Sequence, residues 1–181
     1  MCAVMVATLA LAAQAAEDAR IRVERVDGGV EVSAEAEIDA SPLLVWETLT
    51  DYEQLPGFIP GLSRSKVIER RGAQLVLEQS GESRFLVFSF PINVRLEVIE
   101  SPPESITSRA IAGNLRRMSG RYDIVPAAGA ERVLLRYAGV LEPAFELPPL
   151  IGIAALRGMV QEQFEAMVFE IRRRSAQRKK K

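Results

Sequence analysis

Residues 40–61, ASPLLVWETLTDYEQLPGFIPG, place two short helical segments in a chain that otherwise has the pattern of β-structure. Ser41 can cap a helix, a proline follows at the first helical position, and Val45, Trp46 and Leu49 recur at helical spacing. The rest of the stretch contains two prolines and two glycines but keeps its apolar side chains. This predicts one short helix followed by one or two further helical turns.

Strand patterns flank this helical stretch on both sides. Residues 21–26 and 30–38 alternate apolar and polar side chains around an Asp-Gly-Gly turn, which predicts a β-hairpin. Downstream, turn residues such as Gly81-Glu82 and Gly113-Asn114 separate seven further alternating segments. These predicted strands of an antiparallel meander are residues 66–70, 74–80, 84–90, 93–100, 106–111, 115–125 and 132–141.

The C-terminal part of the chain has the pattern of a long amphipathic helix that begins after Pro148 and Pro149. The apolar residues that recur at steps of three and four are Ile153, Leu156, Val160, Phe164, Met167, Val168 and Ile171. Such a helix must bury its apolar stripe, and a wide sheet with one apolar face curls around it. We therefore predict an α+β fold in which a curved antiparallel sheet wraps a C-terminal helix and leaves a cavity.

The length of 181 residues fits one domain, with an apolar leader and a basic tail at its ends. Residues 1–16 are uncharged and end in a small-x-small pattern, which predicts a cleaved signal peptide and a periplasmic or secreted protein. A buried N-terminal helix in a cytoplasmic protein is the alternative. The domain then spans residues 17–174, and residues 175–181 form the tail.

Net charge is −1, yet seven Arg and Lys residues lie in residues 172–181, so the preceding chain carries −8. The tail could touch anionic headgroups transiently and make the protein a membrane-surface adaptor. The alternative is a solvated helix end whose cations favour the negative end of the helix dipole. No basic stripe with interleaved aromatic residues accompanies the tail, so nucleic acid is not an expected partner.

The residue types exclude several kinds of chemistry. The chain has no histidine, and its single cysteine, Cys2, lies in the predicted signal peptide. Ser-His and Cys-His pairs are therefore excluded from the mature chain, and we expect no metal site and no cofactor. Glycine-rich phosphate-binding motifs are also missing.

Residues 40–61, together with residues 113–122 leading to Pro126, resemble the polyketide cyclase/dehydrase and coenzyme-Q-binding branch of the START-like, or SRPBCC, superfamily. The resemblance extends over about residues 30–174. It implies a helix-grip fold with a deep cavity, usually for lipids, quinones or polyketides. Relatives often have tryptophan where this chain has Tyr122, so their ligand preference does not transfer.

Three polar residues are the candidates for catalysis or for orienting a ligand: Arg116, Tyr122 and Tyr137. Arg116 and Tyr122 are an even number of residues apart on one predicted strand and should share a face. There they could hold a quinone carbonyl or a polyketide oxygen. The alternative is that both tyrosines are core aromatics and Arg116 is a surface charge.

The leading hypothesis is a non-catalytic carrier of an isoprenoid quinone, lipid or polyketide-like hydrophobe. A polyketide cyclase or dehydratase that uses Tyr, Arg or a carboxylate is the enzymatic alternative. The predicted ligand-binding residues are Trp46, Tyr52, Phe58, Ile59, Met118, Tyr122, Tyr137, Leu141, Phe164 and Met167.

Overall fold

The computed structural model describes residues 19–26, 29–85, 88–127, 131–143 and 151–180. These described residues form eight strands, two α-helices and one 3-10 helix. In chain order these elements are β1 (Ala19–Val26), β2 (Gly29–Ile38), α1 (Pro42–Leu49), the 3-10 helix (Tyr52–Gly57), β3 (Leu62–Arg71), β4 (Gln74–Phe85), β5 (Phe88–Ser101), β6 (Ser105–Gly113), β7 (Leu115–Pro126), β8 (Val133–Pro143) and α2 (Ile151–Arg178).

The eight strands form one antiparallel sheet in the order β1-β2-β8-β7-β6-β5-β4-β3. Strands β3 to β8 are a meander, and β8 closes against β2 of the N-terminal hairpin. The long helix α2 packs on this curved sheet and contacts β1, β2, β4 and α1. The predicted α+β architecture is confirmed.

Alternation along β2 and β8 decides which face of the sheet meets the helix. Val30, Ala34 and Ile38 are buried on β2, and they pair in register with Leu141, Tyr137 and Val133 on β8. On α2 the predicted apolar stripe is the buried one, and Val168 and Ile171 are fully shielded from solvent. Because a strand alternates its side chains, the other face of these strands carries the polar residues.

The helical stretch between β2 and β3 follows the sequence prediction. The Ser41 hydroxyl accepts a hydrogen bond from the Leu44 amide at 3.3 Å, and Pro42 begins α1. The second segment is the 3-10 helix with Tyr52 and Leu55 buried. Helix α1 contacts α2 and β7, and the 3-10 helix contacts β3.

Gly81 does not form the predicted turn, so the meander has six strands where the sequence suggested seven. Strand β4 runs through Gly81, and the connection to β5 lies after Phe85. A Cβ atom on Gly81 would lie 2.0 Å from the Gly61 carbonyl oxygen, and this oxygen accepts the Glu82 amide at 2.7 Å. The glycine thus permits a close backbone approach between β3 and β4.

The predicted signal peptide, residues 1–16, lies outside the described residues, so the periplasmic location stays a prediction. Among the helices that are described, none has a stretch apolar and long enough to cross a bilayer.

The basic tail is largely helical, since α2 continues to Arg178 beyond the expected domain boundary at residue 174. The Ser175 hydroxyl donates to the Asp39 carbonyl at 2.9 Å, which holds this turn against the domain. Arg178 pairs with Glu47, and Lys179 lies 3.3 Å from Glu131. Acidic groups of the body therefore neutralise part of the tail.

Glu170 is more buried than Glu47 and Glu131, with 7% of its side chain exposed. Arg173 Nε and Arg174 Nε donate to its two oxygens at 2.6 and 2.7 Å, and Arg174 also reaches Asp51 at 3.0 Å. The hydrogen bond from Arg173 is the main cause that lowers the pKa of the Glu170 carboxyl below its ordinary value of 4.5, against burial, which raises it.

Glu170→Gln is expected to lower the free energy of unfolding by about 1–3 kcal/mol at neutral pH, because hydrogen bonds to a charged group are lost. A carboxyl with a lowered pKa in the folded state stabilises the fold above its unfolded pKa. The difference between wild type and Glu170→Gln should therefore shrink as the pH falls below about 4.5. Urea unfolding across this pH range measures it, and a constant difference would contradict the assignment.

Candidate functional site: an uncharged cavity under the helix

A cavity of about 310 Å³ lies between the concave face of the sheet and the first half of α2. Strands β2 and β4 to β8 form its floor and walls. Leu156, Val160 and Phe164 of α2 cover it, while Leu55 and Ile59 close one side. The volume lies at the lower end of the range for small-molecule sites.

The lining is apolar and carries no formal charge. Val94, Leu96 and Val98 of β5 and Ile106 of β6 supply much of the wall. Of the residues that the structure describes, no Asp, Glu, Lys or Arg lines the cavity. Burying an unpaired ionic group in such surroundings is strongly unfavourable, so a charged guest would gain no counter-ion here.

Tyr122 and Tyr137 are the polar feature of the cavity floor. They are directly opposite one another on β7 and β8, and their ring centroids are 4.8 Å apart at an angle of 44°. Both side chains are partly buried, and both line the cavity. The antiparallel register therefore places two aromatic hydroxyl groups side by side on the concave face.

Both hydroxyls are available to a ligand. Within the described part of the chain, neither forms a hydrogen bond to protein, and no fully buried side-chain oxygen or nitrogen there lacks a partner. The two hydroxyls must therefore be accessible from the cavity. Burial raises the pKa of Tyr122 and of Tyr137 above the ordinary value of 10.0, and the nearby Tyr137 adds to the shift of Tyr122. Both groups thus stay protonated and act as hydrogen-bond donors.

The other polar side chains along the wall already have protein partners. Gln79 Nε2 donates to the Ser65 hydroxyl at 3.2 Å, and Gln163 Nε2 donates to the Pro60 carbonyl at 3.3 Å. Asn114 accepts the Asn93 amide at 3.0 Å through its side-chain oxygen. These bonds tie wall segments together, which leaves the tyrosine pair as the polar anchor of the cavity.

Tyr52 also lines the cavity, but its hydroxyl belongs to a network that closes the sheet edge. The hydroxyl donates to Glu100 Oε1 at 3.0 Å, and Arg70 Nη1 donates to Glu100 Oε2 at 2.8 Å. Burial is the main cause that raises the pKa of Tyr52, with the Glu100 charge and hydrogen bond adding to it. Its proton is thus committed to Glu100, which makes Tyr52 a wall residue.

Eight of the ten predicted ligand-binding residues lie along the cavity: Tyr52, Ile59, Met118, Tyr122, Tyr137, Leu141, Phe164 and Met167. The structure places the other two elsewhere. Trp46 is partly buried against the core from α1. Phe58 packs with its ring 5.6 Å from the Arg174 guanidinium carbon. The helical stretch thus contributes Tyr52 and Ile59 to the site but not its two other large aromatic side chains.

The expectation that Arg116 shares a face with Tyr122 is wrong. A register shift lies between Leu115 and Arg117 on β7, so alternation restarts after Arg116. Leu115 points to the cavity, whereas 65% of the Arg116 side chain is exposed and lies 4.0 Å from Glu142. A β-bulge inserts one residue and so reverses the parity on which the prediction depended.

Sequence reasoning missed two kinds of site residue. The alternation predicts a strand for the wall residues of β5, such as Val94 and Leu96, but does not indicate that they line a cavity. The sequence also does not indicate that Gly120 and Gly139, which are paired across β7 and β8, lie against Tyr137. Glycine at an inward strand position signals close packing, but the pairing that brings the two together becomes visible only in the sheet.

No set of three or more acidic or cysteine side chains within the described ranges is arranged to hold a metal ion. Among the described lining residues, the polar groups that remain for a ligand are the two tyrosine hydroxyls.

An antiparallel sheet that grips a C-terminal helix around an apolar cavity defines the START-like, helix-grip class of proteins. Solved structures share this fold. A STAR-related lipid transfer protein from Xanthomonas axonopodis matches with TM-score 0.68 and 16% identity, covering 86% of this chain and 94% of that chain. The ZhuI aromatase/cyclase from Streptomyces sp. R1128 matches with TM-score 0.66 and 18% identity over 86% and 96% of the two chains.

A START superfamily protein from Mycobacterium smegmatis is similar as well, with TM-score 0.63 and 20% identity over 81% of this chain and 97% of that chain. The chain belongs to the polyketide cyclase / dehydrase and lipid transport family, whose model matches residues 38–168. A comparison with curated proteins finds no match.

Proposed function

We propose that this protein binds an uncharged hydrophobic small molecule with a carbonyl-type oxygen, and that it carries this molecule without transforming it. The observation that carries the proposal is the pair of free hydroxyl donors, Tyr122 and Tyr137, in an otherwise apolar and uncharged cavity. The family description and the named structural relatives support a hydrophobic ligand in general. The tyrosine pair adds the requirement for an acceptor oxygen.

The size of the cavity limits the part of the ligand that it can enclose. The volume of about 310 Å³ is near the lower bound of about 300 Å³ for small-molecule sites. One or two fused rings, or a short branched chain, fill such a space. A quinone ring or a polyketide ketone fits this description, and desolvation at roughly 25 cal/mol per Å² supplies most of the binding free energy.

A polyketide cyclase or dehydratase is the second candidate, favoured by the family description and the aromatase/cyclase neighbour. Two tyrosine donors could stabilise the oxyanion that develops on a substrate carbonyl. Such a reaction also needs a base, and raised pKa values keep both tyrosines protonated. Because no carboxylate lines the described cavity wall, binding is favoured over catalysis.

The membrane-surface adaptor is the weakest of the three hypotheses. Glu47 and Glu131 partly neutralise the basic tail, and Glu170 pairs with Arg173 just before it. The electrostatic attraction to an anionic surface scales with the charge that remains unpaired.

The proposed ligand chemistry is tested with Tyr122→Phe and Tyr137→Phe and two matched probes, 2-acetylnaphthalene and 2-ethylnaphthalene. Each substitution should weaken binding of the ketone about 2- to 13-fold, since one neutral hydrogen bond contributes about 0.5–1.5 kcal/mol. The hydrocarbon should bind all three proteins with similar affinity. Fluorescence titration of the naphthyl group measures the dissociation constants.

The negatively charged 2-naphthoate serves as the third probe and should not bind. Loss of affinity for ketone and hydrocarbon alike in the Phe variants would contradict the carbonyl assignment. Tight binding of 2-naphthoate would contradict the uncharged-ligand assignment. Conversion of the bound ketone or of a poly-β-ketone substrate, followed by mass spectrometry, would overturn the carrier in favour of the enzyme.

A further inference from the structure

Two glycines form the part of the sheet on which the tip of Tyr137 lies. Gly120 and Gly139 are paired across β7 and β8, two residues along the ladder from the Tyr122–Tyr137 pair and therefore on the same face of the sheet. A Cβ atom on Gly120 would be 2.6 Å from the Tyr137 hydroxyl oxygen, and one on Gly139 would be 2.7 Å from it. The Tyr137 ring therefore leans along β8 and lies against bare backbone.

No other residue type would allow this position of the ring. A Cβ on Gly120 would also meet Tyr137 Cε2 at 2.9 Å and Cζ at 3.0 Å, which is closer than carbon atoms pack. With a methyl group there, the ring tip must lift away from the sheet. The space above the sheet at this point is the cavity, so a lifted ring would occupy part of the volume that is open to a ligand.

We propose that the Gly120–Gly139 pair is a specificity determinant that sets both the height of the Tyr137 hydroxyl and the free volume above it. This inference rests on the proposed function, because it assigns a ligand-selecting role to the floor of the same cavity. The pair keeps the Tyr137 hydroxyl close to the sheet, so that a two-ring ligand fits in the cavity above the tyrosines. Glycine at these positions acts on the ligand through Tyr137, as a positioning residue.

Gly120→Ala is the preferred test, because the atoms that its Cβ meets belong to the movable end of one side chain. At Gly139 a Cβ would also meet the Ser119 carbonyl oxygen at 2.8 Å, so backbone strain would complicate the result. Gly57→Ala is the matched control, since a Cβ there has no neighbour within 4 Å.

Gly120→Ala should weaken binding of the two-ring ketone 2-acetylnaphthalene about 10-fold, in line with overpacking of a filled site. Binding of the one-ring ketone acetophenone should change less than about 2-fold, because the smaller ring needs less of the volume. Gly57→Ala should match wild type with both ketones. The free energy of unfolding, measured in urea, reports any general loss of structure.

A Tyr137→Leu background tests whether Gly120 acts on the ligand through the Tyr137 ring. With the tyrosine ring removed, adding Gly120→Ala should change the affinity for either ketone by less than about 2-fold. An equal effect of Gly120→Ala in both backgrounds, or an unchanged preference between the two ketones, would overturn the inference. If instead wild type bound neither ketone, the proposed function itself would fail.

Discussion

Ala155→Trp should abolish most of the ligand binding while leaving the fold intact. Ala155 lines the cavity from α2, so an indole at this position would project into the space of about 310 Å³. Displacing about 100 Å² of ligand contact costs about 2–3 kcal/mol, which corresponds to roughly a 30- to 150-fold loss of affinity for 2-acetylnaphthalene. Filling a cavity with an apolar ring does not by itself destabilise the protein.

Ala154 gives the matched control one residue away on the same helix. It is exposed, and Ala154→Trp should therefore leave both the affinity and the free energy of unfolding close to wild type. Fluorescence titration of both variants with 2-acetylnaphthalene measures the two affinities. Equal losses at the two positions, or no loss at position 155, would show that the ligand does not occupy this cavity.

Ile171→Ala should produce the largest loss of stability, about 2–5 kcal/mol in the free energy of unfolding. Ile171 is fully buried on α2, the helix that packs against the sheet and α1. Removing its side chain leaves a void in the contact that holds the helix. Urea unfolding, with the slope checked for an unchanged denatured state, measures the effect.

Phe169→Ala is the corresponding control on the outer side of α2. Phe169 is 46% exposed, so its truncation should change the free energy of unfolding by no more than about 0.5–1 kcal/mol. If the two substitutions were equally destabilising, the face of α2 assigned to the core would be wrong.

The architecture could be predicted because its signals are local. Alternation of period two along residues 30–38 and helical spacing from Ile153 to Ile171 both survive into the folded protein, since each segment buries a face that the sequence already makes apolar. The capping serine and proline of α1 act over one turn. Such elements can be predicted without knowing which segments pair in the fold, because their signals come from residues that are close in sequence.

The errors fall where a position depends on a neighbouring strand. The bulge between Leu115 and Arg117 reversed the expected direction of Arg116. Gly81 is a residue type that is typical of turns, yet it lies within β4. Its lack of a side chain there allows the Gly61 carbonyl to come close. In each case a residue separated in sequence determines the conformation, and spacing along one strand cannot reveal it.

The sequence by itself determined the fold class, the apolar faces of the strands and the helix, and the exclusion of imidazole chemistry and of thiol chemistry beyond Cys2. Tertiary structure alone decided that Tyr122 contacts Tyr137 and that Gly120 and Gly139 make room for the Tyr137 ring. It also decided that Arg116 lies outside the cavity. The physical reason is that the sequence of each segment alone fixes which of its faces is apolar. A binding site also depends on the register between segments, which brings distant residues together.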